Sequence, residues 1–188
     1  AIAMRLQTGD KIPAFFYDTA FQSGLSIADT LKKVKGKTAL IFLRYWGCRI
    51  CQYDVMQFAA GYEKILERDG QLLVVLQSTP ENLKEQWGEE FPFSVICDPE
   101  KILYSLFEVQ PAPSKEAMTD AQTMEKVQAA AKMGLQHGIY EGEELQLPAA
   151  FVIRPDRTVT YAHYGKAAGD VPEIGELAEL LAEEHKEG

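Results

Sequence analysis

Two stretches of the chain are apolar at every position. Ala39-Leu40-Ile41-Phe42-Leu43, within Thr38 to Tyr45, and Leu72-Leu73-Val74-Val75-Leu76, within Gln71 to Gln77, have the pattern of strands covered on both faces. Between them, after Gly47, the spacing changes to three and four. Val55, Phe58, Ala59, Tyr62, Ile65 and Leu66 fall on one helical face, which predicts a helix ending near Asp69-Gly70. Strand, helix and strand with short joints form a βαβ unit, with parallel strands and a right-handed crossover. The pattern repeats more weakly as a short helix after Ser78-Thr79-Pro80, an extended Phe93 to Cys97 and a helix from Asp98-Pro99 through Phe107. From Gln110 to Gln146 no strand pattern occurs. Pro111-Ala112-Pro113 opens an alanine-rich helical stretch to about Met133, followed by a loop holding Gly134, Gly138 and Gly142, so this segment reads as an insertion. Ala149 to Ile153, a turn at Pro155-Asp156-Arg157 and Thr158 to His163 then predict an antiparallel β-hairpin. Ile174, Leu177, Leu180 and Leu181 place a last helix against the sheet. The expected class is α/β: a mixed central sheet with helices on both faces, in one domain over residues 4–188 with an insertion at about 110–146.

Composition narrows the function classes. Of 188 residues, 46% are hydrophobic and 25% charged, enough to bury a single core. The net charge of −9 opposes nucleic acid and anionic membrane surfaces as partners. The acidic run from Glu173 to Glu187 reads as the wet face of the last helix. No window approaches the ~18 apolar residues that a membrane span needs, and the first residues lack a signal-peptide pattern, so the expected location is cytoplasmic. Ala1-Ile2-Ala3 before Met4 reads as a cloning remnant.

The chemistry is expected at Cys48-Arg49-Ile50-Cys51. Cysteines three apart at a helix start bring both sulfurs to nearly one face, within reach of a disulfide, and the free amides and dipole there favour thiolate. Arg49 and Arg44 would add positive charge if they turn inward. A zinc site would need two more ligands, and Cys97, His137 and His163 show no ligand spacing, so no metal is expected. A pair of inert buried thiols is the remaining alternative. Cys97 reads as a packing residue.

Phe42-Leu43-Arg44-Tyr45-Trp46-Gly47-Cys48-Arg49-Ile50-Cys51 resembles the active-site lead-in of thioredoxin-like proteins. More closely it resembles that of the peroxiredoxin-like group within the alkyl hydroperoxide reductase and thiol-specific antioxidant (AhpC/TSA) superfamily. Gly9 to Phe15, Ser94 to Phe107 and Leu147 to Ile153 resemble further segments of that superfamily. The resemblance implies a thioredoxin-like fold and a thiol-dependent redox enzyme with catalytic Cys48 and Cys51, a disulfide or peroxide substrate, a cellular thiol reductant and no cofactor. It also implies a cis Leu147–Pro148 bond beside the cysteine pair, with Pro148, Trp46, Arg44 and Arg49 as substrate-side residues; a trans proline opening an edge strand is the alternative. The chain departs from the peroxiredoxin motif Pro-x-x-x-Thr-x-x-Cys: with Cys51 at the peroxidatic position, Cys48 replaces threonine and Arg44 replaces proline. Dithiol exchange is therefore expected above peroxidase activity. The choice of Cys48 or Cys51 as attacker stays open, as does a homodimer. The competing reading is a catalytically silent binding module, whose sign would be buried cysteines that are unreactive at neutral pH.

Overall fold

In the computed structural model, which describes residues 3–87 and 91–182, the apolar runs form the interior of a seven-stranded sheet. The strands are β1 (Phe16–Thr19), β2 (Leu25–Ser26), β3 (Thr38–Phe42), β4 (Gln71–Leu76), β5 (Ser94–Cys97), β6 (Ala149–Ile153) and β7 (Val159–Tyr164), in the order β2-β1-β5-β4-β3-β6-β7. The strands β3, β4 and β5 are mutually parallel, whereas β1, β6 and β7 join antiparallel, so the sheet is mixed as expected. Every residue of β3 is buried, because alternate side chains enter different cores. Ala39 and Ile41 meet Val55, Phe58, Leu177 and Leu181 on one face. Leu40 and Phe42 meet Leu31, Tyr104, Phe107 and Phe151 on the other.

The helices are α1 (Ile27–Leu31), α2 (Arg49–Ala60), α3 (Glu63–Leu66), α4 (Pro80–Trp87), α5 (Ile102–Leu106), α6 (Ala121–Lys132) and α7 (Ile174–Ala182), with a 3-10 turn at Glu116–Met118. The sequence periodicity predicts one continuous helix to Asp69, but the structure breaks it at Gly61. Glycine is a weak helix former, and a Cβ there would lie 2.8 Å from Ile174 of α7, so the break admits that helix. Leu66, expected on the inner face, is consequently exposed. The hairpin of β1 with β2 and the helix α1 were not predicted. The Glu183–Glu187 part of the acidic run and Ala1-Ile2 lie outside the described residues. Among the described residues no helix is long and apolar enough to cross a membrane.

The segment 110–146 is tied to the rest by a buried ion pair. Lys126 of α6 places Nζ 2.7 Å from Asp54 Oδ1 on α2, with both side chains about 5% exposed, and donates to Gly169 O at 2.8 Å. Burial raises the Asp54 carboxyl to about 6 although Lys126 opposes the rise. A buried pair resists loss of one member more than it rewards its presence. Lys126→Ala should therefore cost about 3–5 kcal/mol at pH 7, measured by urea unfolding. A carboxyl raised on folding loses stability as pH climbs from its unfolded value through its folded one. Without Lys126 the folded value rises further, so the variant's deficit should shrink at pH 5, where Asp54 holds its proton.

Candidate active site

The chain leaves β3 through a loop, Leu43 to Gly47, that is held from several sides. Leu43 N–H donates to Val75 O at 2.9 Å and Gln77 N–H to Arg44 O at 2.8 Å, extending the β3–β4 pairing. The buried Tyr104 hydroxyl donates to Leu43 O at 2.6 Å, and Trp46 N–H donates to Ser78 Oγ at 2.9 Å. This fixes where α2 begins. Cys48 is its N-cap, and its sulfur accepts from Cys51 N–H at 3.4 Å, the place where a serine or aspartate oxygen commonly sits.

Arg44 does turn inward. Its Nη2 lies 3.1 Å from Cys48 Sγ, while its backbone N–H points to Cys51 Sγ at 3.4 Å. The Cys51 thiol donates to the Cys48 sulfur, the largest influence favouring the Cys48 thiolate; burial opposes it, and the charge and hydrogen bond of Arg44 add to the lowering. Cys48 is thereby lowered to about 6. Burial, and then its role as donor beside a negative sulfur, push Cys51 well up. Burial works against the Arg44 charge, but the two sulfurs and Glu144 more than compensate, so the guanidinium stays protonated.

A strap from the segment 110–146 closes over this loop. Gly138 N–H donates to Gly47 O at 2.8 Å, and a Cβ on Gly47 would overlap the Ile139 carbonyl oxygen. The Gln77 side-chain amide acts like a peptide group toward the strap: its Oε1 accepts from Glu143 N–H at 2.7 Å and its Nε2 donates to Glu143 O at 3.2 Å. Gly142 runs so close to Gln77 Oε1 that no side chain fits, and its φ of 68° suits glycine. Glu141 accepts from Thr79 N–H and Asn82 Nδ2 at the start of α4. Glu144 pairs with Arg44 Nη1 at 2.9 Å, and its backbone oxygen accepts from the same nitrogen. Its other carboxylate oxygen accepts from the Tyr45 hydroxyl at 2.7 Å, which also pairs with His137 Nε2 at 3.0 Å. Beneath the strap Cys48 is 2% exposed and Cys51 5%.

Of the residues singled out in the sequence, the structure gathers Cys48, Cys51 and Arg44. Arg49 is exposed on the outer side of α2. Trp46 is buried, its ring edge-on to Trp87 at 4.9 Å and near Phe91 at 5.7 Å, so it is a core residue more than a substrate surface. The expected cis bond is a correction: no peptide bond among the described residues is cis. The trans form follows from its anchors, because Leu147 N–H pairs with Gln110 O, Gln146 Nε2 with Val109 O, and Pro148 O with Gly165 N–H, which draw the chain into β6 fully extended. Pro148 packs in a cleft with Arg5, Leu147 and Tyr164. Cys97, at the end of β5, is buried and its thiol is pushed up to about 12. Among the described residues no group of three or more His, Cys, Asp and Glu side chains is gathered to hold a metal ion. Sequence reasoning missed Tyr45, Gln77, His137 and Glu144; the last three carried no motif, and Tyr45 was visible only as part of the lead-in.

Residues 57–167 match the AhpC/TSA antioxidant enzyme family over more than half of the chain. The protein belongs to that family. Its function is accordingly thiol-dependent redox chemistry. The family match begins beyond Cys51, so it covers β4 to β7 and the segment 110–146 and leaves the cysteine pair to be judged by geometry. No curated protein matches the sequence in a direct comparison. Among solved structures the chain is similar to a mutant of peroxiredoxin 6 from Arenicola marina, with TM-score 0.65 and 15% identity over 94% of this chain and 72% of that one. It is similar to peroxidoxin BcpB from Mycobacterium tuberculosis, with TM-score 0.64 and 14% identity over 95% and 96%. It is also similar to a putative thiol:disulfide interchange protein DsbE from Chlorobium tepidum, with TM-score 0.58 and 20% identity over 94% and 98%. At these identities the likeness establishes the thioredoxin-like fold.

The close approach of the strap generates a test. Gly47→Ala should displace the Gly138–Ile139 backbone, costing about 1–3 kcal/mol as an overpacked position does. It should also speed alkylation of Cys48 at fixed pH relative to the parent. Iodoacetamide labelling followed by peptide mass analysis measures the second effect, and an unchanged rate would show that the strap does not limit access.

Proposed function

We propose that the protein is a dithiol–disulfide oxidoreductase in which Cys48 attacks and Cys51 resolves. The observation that carries this reading is the Arg44 guanidinium 3.1 Å from the Cys48 sulfur, on the same atom that accepts from Cys51. The Arg44 guanidinium and the Cys51 N–H converge on one sulfur, whereas the other receives only the backbone N–H of Arg44, so the pair is divided into a thiolate and a protonated partner. The Cys48 thiolate attacks one sulfur of a substrate disulfide, that S–S bond breaks, and the departing sulfur leaves as a thiolate that takes up a proton. Cys51 then gives up its proton and attacks the Cys48 sulfur of the mixed disulfide. The second substrate thiol departs, two electrons have passed to the substrate, and Cys48–Cys51 is left as a disulfide for a cellular thiol reductant to reopen.

The silent-module reading requires thiols that are buried and unreactive. Burial is present, but the lowered Cys48 thiol argues against inertness. Peroxidase chemistry on the peroxiredoxin pattern would call on Cys51, whose thiol is held protonated. The strap over the pair favours substrates that reach Cys48 by a narrow approach or that displace the strap.

Alkylation of Cys48 as a function of pH should give a midpoint near the lowered value of about 6, against ~8.5 for an ordinary thiol. Cys48→Ser should abolish reduction of a model disulfide, Cys51→Ser should accumulate the mixed disulfide, and Cys97→Ser should leave turnover unchanged. A Cys48 midpoint at the ordinary thiol value would overturn the assignment. Hydrogen peroxide should be consumed slowly. A missing donor to charge developing on a reacting oxygen costs ~3 kcal/mol, about two powers of ten in rate, and a thiol at the threonine position is a weak donor. Stopped-flow comparison of peroxide with a model disulfide decides between them: peroxide turned over rapidly with disulfides ignored would reverse the conclusion.

A further inference from the structure

Arg44 is a long side chain with free rotation at several bonds, so its position beside the sulfur needs a cause. Its neighbours supply one. The guanidinium is a planar fork: Nη2 faces Cys48 Sγ, while Nη1 meets both the side chain and the backbone oxygen of Glu144. The second carboxylate oxygen of Glu144 is itself fixed by the Tyr45 hydroxyl, and that hydroxyl pairs with His137, whose ring stacks on Tyr140 at 4.0 Å. The Arg44 guanidinium carbon also sits 5.2 Å from the centre of the Tyr45 ring. The chain of contacts runs from the strap to the sulfur through a single cation.

We infer that Glu144 is a positioning residue for the disulfide exchange proposed above: by gripping one arm of the Arg44 fork it holds the other arm against Cys48. The inference rests on the reading of Cys48 as the attacking thiolate. It assigns a role to the strap that its burial of the cysteines alone does not. A carboxylate near a thiolate has two opposed influences. Its own negative charge disfavours the thiolate, and its hold on Arg44 favours it. The contacts favour the second, because Glu144 grips Arg44 directly and the sulfur is met by the other arm of that fork. The other titratable or charged groups facing Cys48 are Cys51 and Asp54 from α2, with Asp54 neutralised by Lys126 of α6, and Arg44 and Tyr45 from the loop after β3.

The opposed signs make the inference testable on the full chain. Thiolate formation at Cys48, read by mass-resolved iodoacetamide labelling across pH, should shift upward by about one unit in Glu144→Ala, a tenfold smaller thiolate fraction on the acid side of the transition. Glu144→Gln keeps an oxygen for Arg44 and a polar group for Tyr45, so it should titrate with the parent or slightly below it. In an Arg44→Met background, Glu144→Ala should produce no further shift, because the group through which it acts is gone. A downward or absent shift in Glu144→Ala overturns the inference, since that is the signature of charge removal alone. An equal rise in both Glu144 variants overturns it too, as damage to the strap that an isostere cannot rescue. So does a Glu144 effect that survives in the Arg44→Met background. A parent Cys48 that titrates like an ordinary thiol instead removes the reading of Cys48 as attacker, and the inference falls with it.

Discussion

The hydrogen bond from Arg44 to the Cys48 sulfur is the interaction around which the site is arranged. An anion inside a protein costs several kcal/mol unless a cation and donors surround it, and Cys48 is almost wholly removed from solvent. Arg44 supplies the cation, and Cys51 supplies a thiol and a backbone amide. The division of labour between two chemically identical side chains follows from that asymmetry alone. Cys51 could not take the same role, because the cation addresses the other sulfur and burial then acts on Cys51 with little to offset it.

Arg44 in turn must be buried without being stranded. The loop after β3 accomplishes this by continuing the sheet's hydrogen bonds past the last residue of β3, so that its backbone is paired while the side chains of Arg44 and Tyr45 meet the strap. The strap has no secondary structure of its own over the cysteines, and side chains anchor it: Gln77 stands in for a neighbouring strand, Glu141 for a helix cap and Glu144 for a counterion. Such a cover is stable while closed, yet its apolar burial is slight, since Ile139 and Tyr140 remain largely exposed.

The βαβ unit was legible because its strands are buried on both faces and so carry an unbroken apolar run, and the helix carries a clean period. The break at Gly61 was not, since the periodicity of Tyr62 and Ile65 continues across it and the cause lies in Ile174, more than a hundred positions away. The short β1 and β2, with Asp18 and Ser26 among their few residues, offer no run long enough to read. Within the site, spacing revealed Cys48, Cys51 and the charge of Arg44, but it gives proximity along the chain without direction. Trp46 turned into the core and Arg49 into solvent on either side of Cys48. The expected cis bond at Pro148 is absent because the pairing that extends the backbone there comes from Gln110 and Gly165, residues that no local pattern links to it. Glu144 is one hundred positions from Arg44 and belongs to no motif.

The ion pair of Asp54 with Lys126 bears on how such a protein could change over evolutionary time. Asp54 stands on the same helix as the cysteines, one turn beyond Cys51, and its other oxygen accepts no hydrogen bond among the described residues. A lineage that shed α6 would leave that carboxylate sealed in the interior without its cation, and one that acquired α6 without Asp54 would strand a lysine instead. Either half alone costs stability. The segment that carries α6 and the helix that carries the thiols are therefore coupled in stability, and a graft of α2 onto another member of the fold would have to replace Asp54 or bring the distant lysine with it.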